Sequence, residues 1–131
     1  MTKKIFECRL YDFLLDEQNN VLIFDWKEET ANMSDDDFRV ALSNYAGFSF
    51  ELSGPGLLVD VRKFKHSLGK EALEWRNIDC LPRYMAAGSY KMAYVAPIEL
   101  LSQRPEGDII IGDFTDRFFG SLDEASAWLK K

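Results

Sequence analysis

The chain has 131 residues, of which 47% are hydrophobic, 14% aromatic and 29% charged. That composition excludes intrinsic disorder and points to one domain, large enough to bury about two-thirds of its unfolded surface without disulfides or a structural metal. Sixteen Lys and Arg against twenty-two Asp and Glu leave a formal net charge of −6. Nucleic-acid binders draw most of their affinity from a basic excess, so no nucleic-acid partner is assigned.

Cys8 and Cys80 show no CxxC or Cys/His spacing, and each reads as a small buried hydrophobe in a reducing compartment. Glu7, Arg9 and Asp12 interrupt the apolar residues near the N-terminus, and no stretch approaches the 18 or more apolar residues of a membrane span. A cytoplasmic location is expected.

In chain order, residues 6–15 read as an edge or near-edge strand, with Arg9, Tyr11, Phe13 and Leu15 forming the mostly apolar side. Asp16-Glu-Gln-Asn-Asn20 has turn chemistry, and Val21–Trp26 returns as a second strand in an antiparallel hairpin. Ser34 is a candidate N-cap before Asp35, Asp36 and Asp37, whose carboxylates suit the positive end of a helix. Phe38, Ala41, Leu42 and Tyr45 keep helical spacing to about Ala46 or a turn beyond, with Gly47 a candidate stop. Ser53-Gly-Pro-Gly56 breaks the chain.

Leu57–Val61 reads as a strand buried on both faces, as in a parallel sheet. After a basic loop, a second helix starts near Lys70 and carries Ala72, Leu73, Trp75 and Ile78; Pro82 should kink or split it before Gly88. Lys91–Val95 is a strand, and residues 98–103 suit a short helix. Residues 104–113 stay unassigned, because Ile109–Ile111 reads as strand but sits between Gly107 and Gly112. Phe114–Phe119 gives the last strand. Ser121 caps a closing helix with Leu122, Ala125, Trp128 and Leu129 on one face. This order predicts an α/β fold: a mainly parallel sheet of about five strands, an antiparallel first strand, and helices packed against the sheet.

Four segments carry a family resemblance: Phe24-Asp-Trp-Lys27, Leu58-Val-Asp-Val-Arg62, Met92-Ala-Tyr-Val95 and the closing Arg117-Phe-Phe-Gly-Ser-Leu-Asp-Glu-Ala-Ser-Ala-Trp-Leu129. Together they resemble the SpoIIAA-like (STAS-type) superfamily, whose relatives include anti-sigma-factor antagonists and CRAL-TRIO lipid-binding domains. The last segment is similar to the end of many small uncharacterised bacterial members. The resemblance implies a SpoIIAA-like fold over nearly the whole chain. In antagonist-type members an Asp-Ser-Ser-Gly loop is phosphorylated on its second Ser. Setting Gly69 on the family glycine puts His66, Ser67 and Leu68 on the three preceding positions. Leu68 has no hydroxyl, so the usual phosphorylation switch is expected to be missing, and Ser67 is the one substitute.

His66 is the only histidine, and no GxSxG, HExxH, Walker-type or GxGxxG motif is present. No catalytic set and no cofactor are assigned. Glu28, Glu29, Asp35, Asp36 and Asp37 form the densest acidic cluster, but carboxylates at a helix start fan outward rather than converge on an ion. No metal is assigned. In an open parallel sheet, loops leaving the carboxyl ends of neighbouring strands are where ligands gather. That brings residues 28–37 near residues 62–69, either as mutually neutralising surface pairs or as a partner surface built from Glu28, Glu29, Asp35, Arg62, Lys63, Lys65, His66 and Ser67.

The leading expectation is therefore a non-enzymatic protein-interaction or regulatory module lacking the usual phosphoserine. The alternative is a carrier of a small apolar or lipid-like ligand between the second helix and the sheet, with Trp75, Tyr84 and Met85 as pocket candidates rather than plain core. An enzyme ranks third. A homodimer rests only on two-fold pairs being the commonest assemblies.

Overall fold

The computed structural model describes residues 2–131. Its centre is one mixed sheet of seven strands in the order β1-β2-β3-β4-β5-β7-β6. The strands are β1 (Thr2–Glu7), β2 (Tyr11–Asp16), β3 (Val21–Trp26), β4 (Gly56–Asp60), β5 (Lys91–Val95), β6 (Ile109–Ile111) and β7 (Phe114–Phe119). β3, β4, β5 and β7 run parallel, while β1, β2 and β6 pair antiparallel with their neighbours. The helices are α1 (Asp35–Glu51), α2 (Lys70–Trp75), α3 (Leu81–Ala87), α4 (Ile98–Leu101) and α5 (Leu122–Leu129).

The sheet thus has seven strands where the sequence suggested five. The run 6–15 is not one strand: the chain bends at Cys8–Leu10, Cys8 N–H donates to the Tyr11 carbonyl, and Lys27 N–H donates to that of Leu10. β1 therefore takes the edge, and β2 lies between it and β3. At the far edge, Gly107 and Gly112 adopt positive φ (80° and 60°) on either side of β6, so the glycines that obscured this strand in the sequence are its turns.

Ser34 caps α1 in a reciprocal box, its hydroxyl accepting from Asp37 N–H while the Asp37 carboxylate accepts from Ser34 N–H. The helix runs through Gly47 to Glu51, because Phe48 and Ser49 continue the buried side beyond the glycine. It stops where Ser53 and Gly54 turn to positive φ (60° and 75°). A Cβ at Gly54 would stand 2.5 Å from the Ala87 carbonyl oxygen, so this turn admits glycine alone.

The second helical region is interrupted near the proline but not broken. Between α2 and α3 lies one π-helical turn, Arg76–Cys80, through which the backbone stays helical, and Pro82 follows it in the first turn of α3. Gly88, at φ 111°, ends it.

Strand alternation sorts the core into two. Phe13, Phe24, Leu57, Val59, Met92 and Phe114 face the α1–α3 side and pack with Phe38, Leu42, Tyr45 and Tyr84. Val21, Leu58, Ala93 and Val95 face the other way, where Ala125, Trp128 and Leu129 of α5 cover them. The Tyr45 hydroxyl donates to the Leu22 carbonyl (2.6 Å) and accepts from Leu58 N–H (3.1 Å), tying α1 to the backbone of two adjacent strands. Among the described residues, no helix is long and apolar enough to cross a membrane.

Candidate functional site

Between the helical layer and the sheet lies a cavity of about 330 Å³. β3 contributes Phe24 and Trp26, α1 contributes Leu42 and Tyr45, and α3 contributes Tyr84. Val61, Phe64 and Leu68 enter from the loop between β4 and α2. Leu73, Asn77 and Arg104 line the cavity and are also exposed, which sets its mouth between the α2 region and the segment leading from α4 to β6.

One wall is polar and internally compensated. Arg76 binds Asp116 with both ends of its guanidinium, Nη2 donating to Oδ1 (2.7 Å) and Nη1 to Oδ2 (2.8 Å). Nη2 also donates to the Tyr94 hydroxyl (2.9 Å) and Nη1 to Asn77 Oδ1 (3.0 Å). Both charged residues are only 6% exposed. Burial opposes the charge on Arg76, but the paired Asp116 carboxylate favours it, and the guanidinium pKa is raised. Burial pushes the Tyr94 hydroxyl up as well, so the wall presents one cation, one anion and a neutral phenol.

A ladder of planar groups joins this wall to the mouth. Tyr94 stacks on Phe118 (centroids 4.9 Å apart, planes 16° apart), and the Arg104 guanidinium lies 5.2 Å over the Phe118 ring. Among the described residues, no carboxylate forms an ion pair with Arg104.

The two loops singled out in the sequence do meet. His66 Nε2 lies 2.6 Å from Asp35 Oδ1, and Lys65 N–H donates to Thr30 Oγ1 (2.9 Å). Thr30 is fully buried and donates in turn to the Lys27 carbonyl. Arg62 turns elsewhere and clasps Asp60 with bonds of 3.0 and 2.7 Å. Glu28, Glu29, Lys63, Lys65 and Ser67 are exposed, and none of these charges is paired across the two loops. The acidic residues diverge at the helix start: Asp35 faces His66, Asp36 pairs with Arg39, and Asp37 caps Ser34.

Of the aromatic and sulfur candidates, Tyr84 lines the cavity, whereas Trp75 and Met85 are half-buried and pack against the core outside its lining. Arg76, Tyr94, Arg104 and Asp116 escaped the sequence reading. Asp116 carried a usable signal: it shares strand parity with Phe114 and Phe118, and a carboxylate at a core-facing position demands a partner. Comparison with protein-family models, curated proteins and solved structures finds no match to this chain.

Proposed function

We propose that this protein binds a small, largely apolar molecule between its helical layer and its sheet, as a non-enzymatic carrier or sensor. The cavity carries this reading. The cleft holds about 330 Å³, within the range of roughly 300–1,000 Å³ typical of ligand pockets. A SpoIIAA-like fold belongs to the same proposal, supported by the parallel run β3-β4-β5-β7 with α1–α3 on one face and α5 on the other. Leu68, at the position where antagonist-type relatives carry the phosphorylated serine, lines the cavity. An apolar side chain turned inward at that place favours a ligand over a phosphoryl switch.

Calorimetric titration with the neutral probe 2-naphthalenemethanol tests the reading. Saturable binding is expected, weakened at least tenfold by Leu73→Trp at the half-exposed mouth. Failure of both this alcohol and its acid counterpart, 2-naphthoate, to bind, or binding indifferent to Leu73→Trp, would remove it.

A second reading, a protein-interaction surface on residues 28–37 and 62–69, is favoured by the Asp35–His66 and Thr30–Lys65 links. They hold two loops together while Glu28, Glu29, Lys63 and Lys65 remain in solvent. Reversing charge at Lys63 and Lys65 should leave folding intact and abolish partner recovery; unchanged recovery counts against this surface.

A further inference from the structure

We propose that the cavity takes a planar aromatic monocarboxylate, its ring system inside and its carboxylate at the mouth on Arg104; this rests on the ligand-binding reading above. Charge sets the first part. Two cations and one carboxylate line the cavity, namely Arg76, Arg104 and Asp116. The first and last neutralise one another through two short bonds, which leaves one uncompensated positive charge at Arg104. A cation would be repelled, and a polyanion would bring charge that no second free guanidinium meets. A single carboxylate matches.

The position of Arg104 sets the second part. Its guanidinium lies over Phe118 and has no ion-pair partner among the described residues. With no ion pair or side-chain hydrogen bond among the described residues, its N–H donors are free for the two oxygens of a carboxylate. Arg104 is exposed and Asp116 is buried, so the charged end of the ligand belongs at the opening and its apolar end inside.

Wall chemistry and size set the third. Eight of the 21 lining residues carry flat rings, and Phe64, Tyr94 and Phe118 keep accessible surface for a ligand ring. Ring pairs in offset or edge-to-face geometry contribute about 0.5–1.5 kcal/mol beyond their area, an advantage that an acyl chain does not share. At about 30 Å³ per water-sized group, 330 Å³ has room for a bicyclic ring system with its carboxylate at the mouth and too little for a long-chain fatty acid.

The test is calorimetry on the full chain with four probes: 2-naphthoate, its neutral counterpart 2-naphthalenemethanol, octanoate and hexadecanoate. The expected order places 2-naphthoate at least tenfold tighter than the alcohol and tighter than either fatty acid. Arg104→Gln should erase the difference between acid and alcohol without changing the affinity for the alcohol, and Arg104→Lys should restore part of it. Equal affinity for acid and alcohol, or a preference unchanged in Arg104→Gln, overturns the proposal while the ligand-binding reading stands. Tighter binding of octanoate or hexadecanoate overturns its aromatic part in the same way. If no probe binds, both readings fall. Because Arg104 is exposed, an unchanged circular dichroism spectrum should accompany every variant result.

Discussion

Arg76 and Asp116, forty residues apart in sequence, are joined by two parallel hydrogen bonds inside the protein. Neither residue is more than 6% exposed, so their pairing decides whether two charges can be buried in this wall at all. Removing one partner of such a pair leaves an uncompensated buried charge and costs about 3–5 kcal/mol, whereas replacing both with apolar groups is often neutral. Asp116→Leu should therefore lower stability by about 3–5 kcal/mol, and adding Arg76→Met should recover most of the loss. Urea unfolding of the two variants decides this. A single variant costing under about 1 kcal/mol, or a double variant no better than the single, would show that the pair is not a coupled unit.

A different electrostatic situation holds on the opposite face of the sheet. The strand register sets Asp25 directly between Asp12 and Asp60. Asp12 has Lys4 and Lys27, and Asp60 has Arg62, while Asp25 forms no ion pair among the described residues. Burial, and next the Asp60 charge, raise the Asp25 pKa above its ordinary 3.8 despite the pull of Lys63. A carboxyl raised in the folded state contributes its stability below its unfolded value and loses it as pH rises through the folded value. At neutral pH the ionised form therefore opposes folding, and Asp25→Asn should raise the urea midpoint. The gain should shrink as pH falls toward about 3, where the wild-type carboxyl is also neutral. A destabilised Asn variant at pH 7 would sink this account.

Alkaline pH should act through other buried groups with the same sign. Burial raises the hydroxyls of Tyr45, Tyr84 and Tyr94 above their ordinary 10.0, and pushes the Cys80 thiol from 9.0 to about 11. All four are neutral when protonated, so the folded chain holds protons that the unfolded chain releases. Their contribution is complete below pH 9, the ordinary value for Cys80, and declines as pH rises from there. The Tm should fall between about pH 9 and about pH 11, with the thiol responsible for the earliest part of the decline. Cys80→Ala should delay that onset. A Tm unchanged over this range would refute the linkage.

How legible this molecule was in its sequence depends on the range of the rule involved. Ser34 and Ser121 announce their helices because a cap is a contact three residues long, and both hydroxyls accept the amide proton three residues on. The β2–β3 hairpin and the parallel β4 and β5 follow from turn chemistry and from apolar runs buried on both faces. β1 was hidden because its residues are mostly exposed or half-buried and carry little alternation. The π turn at Arg76–Cys80 has no periodicity signal of its own, yet it carries the arginine that completes the cavity wall. The meeting of residues 28–37 with residues 62–69 was readable from topology, since β3 and β4 are parallel neighbours, whereas the Asp35–His66 contact within it was not. The cavity was not, because an unfilled volume depends on how side chains from five strands and four helices fail to meet.

Thr30 offers a way to loosen one side of that cavity without touching its lining. Its buried hydroxyl accepts from Lys65 N–H and donates to the Lys27 carbonyl, bracing the loop that carries Phe64 and Leu68. Thr30→Val keeps the shape and leaves the Lys65 amide without its acceptor, a change worth about 1–3 kcal/mol. Most of that cost should appear locally, as opening of residues 61–69, because the core strands do not depend on this bond. Hydrogen exchange at Phe64–Leu68 should therefore accelerate by about ten- to a hundredfold, following the roughly tenfold change per 1.4 kcal/mol. Amides of β4 and β5 should keep their protection. Uniform acceleration across the sheet would mean that the loop and the core open together, and that Phe64 and Leu68 cannot part from the cavity independently of global unfolding.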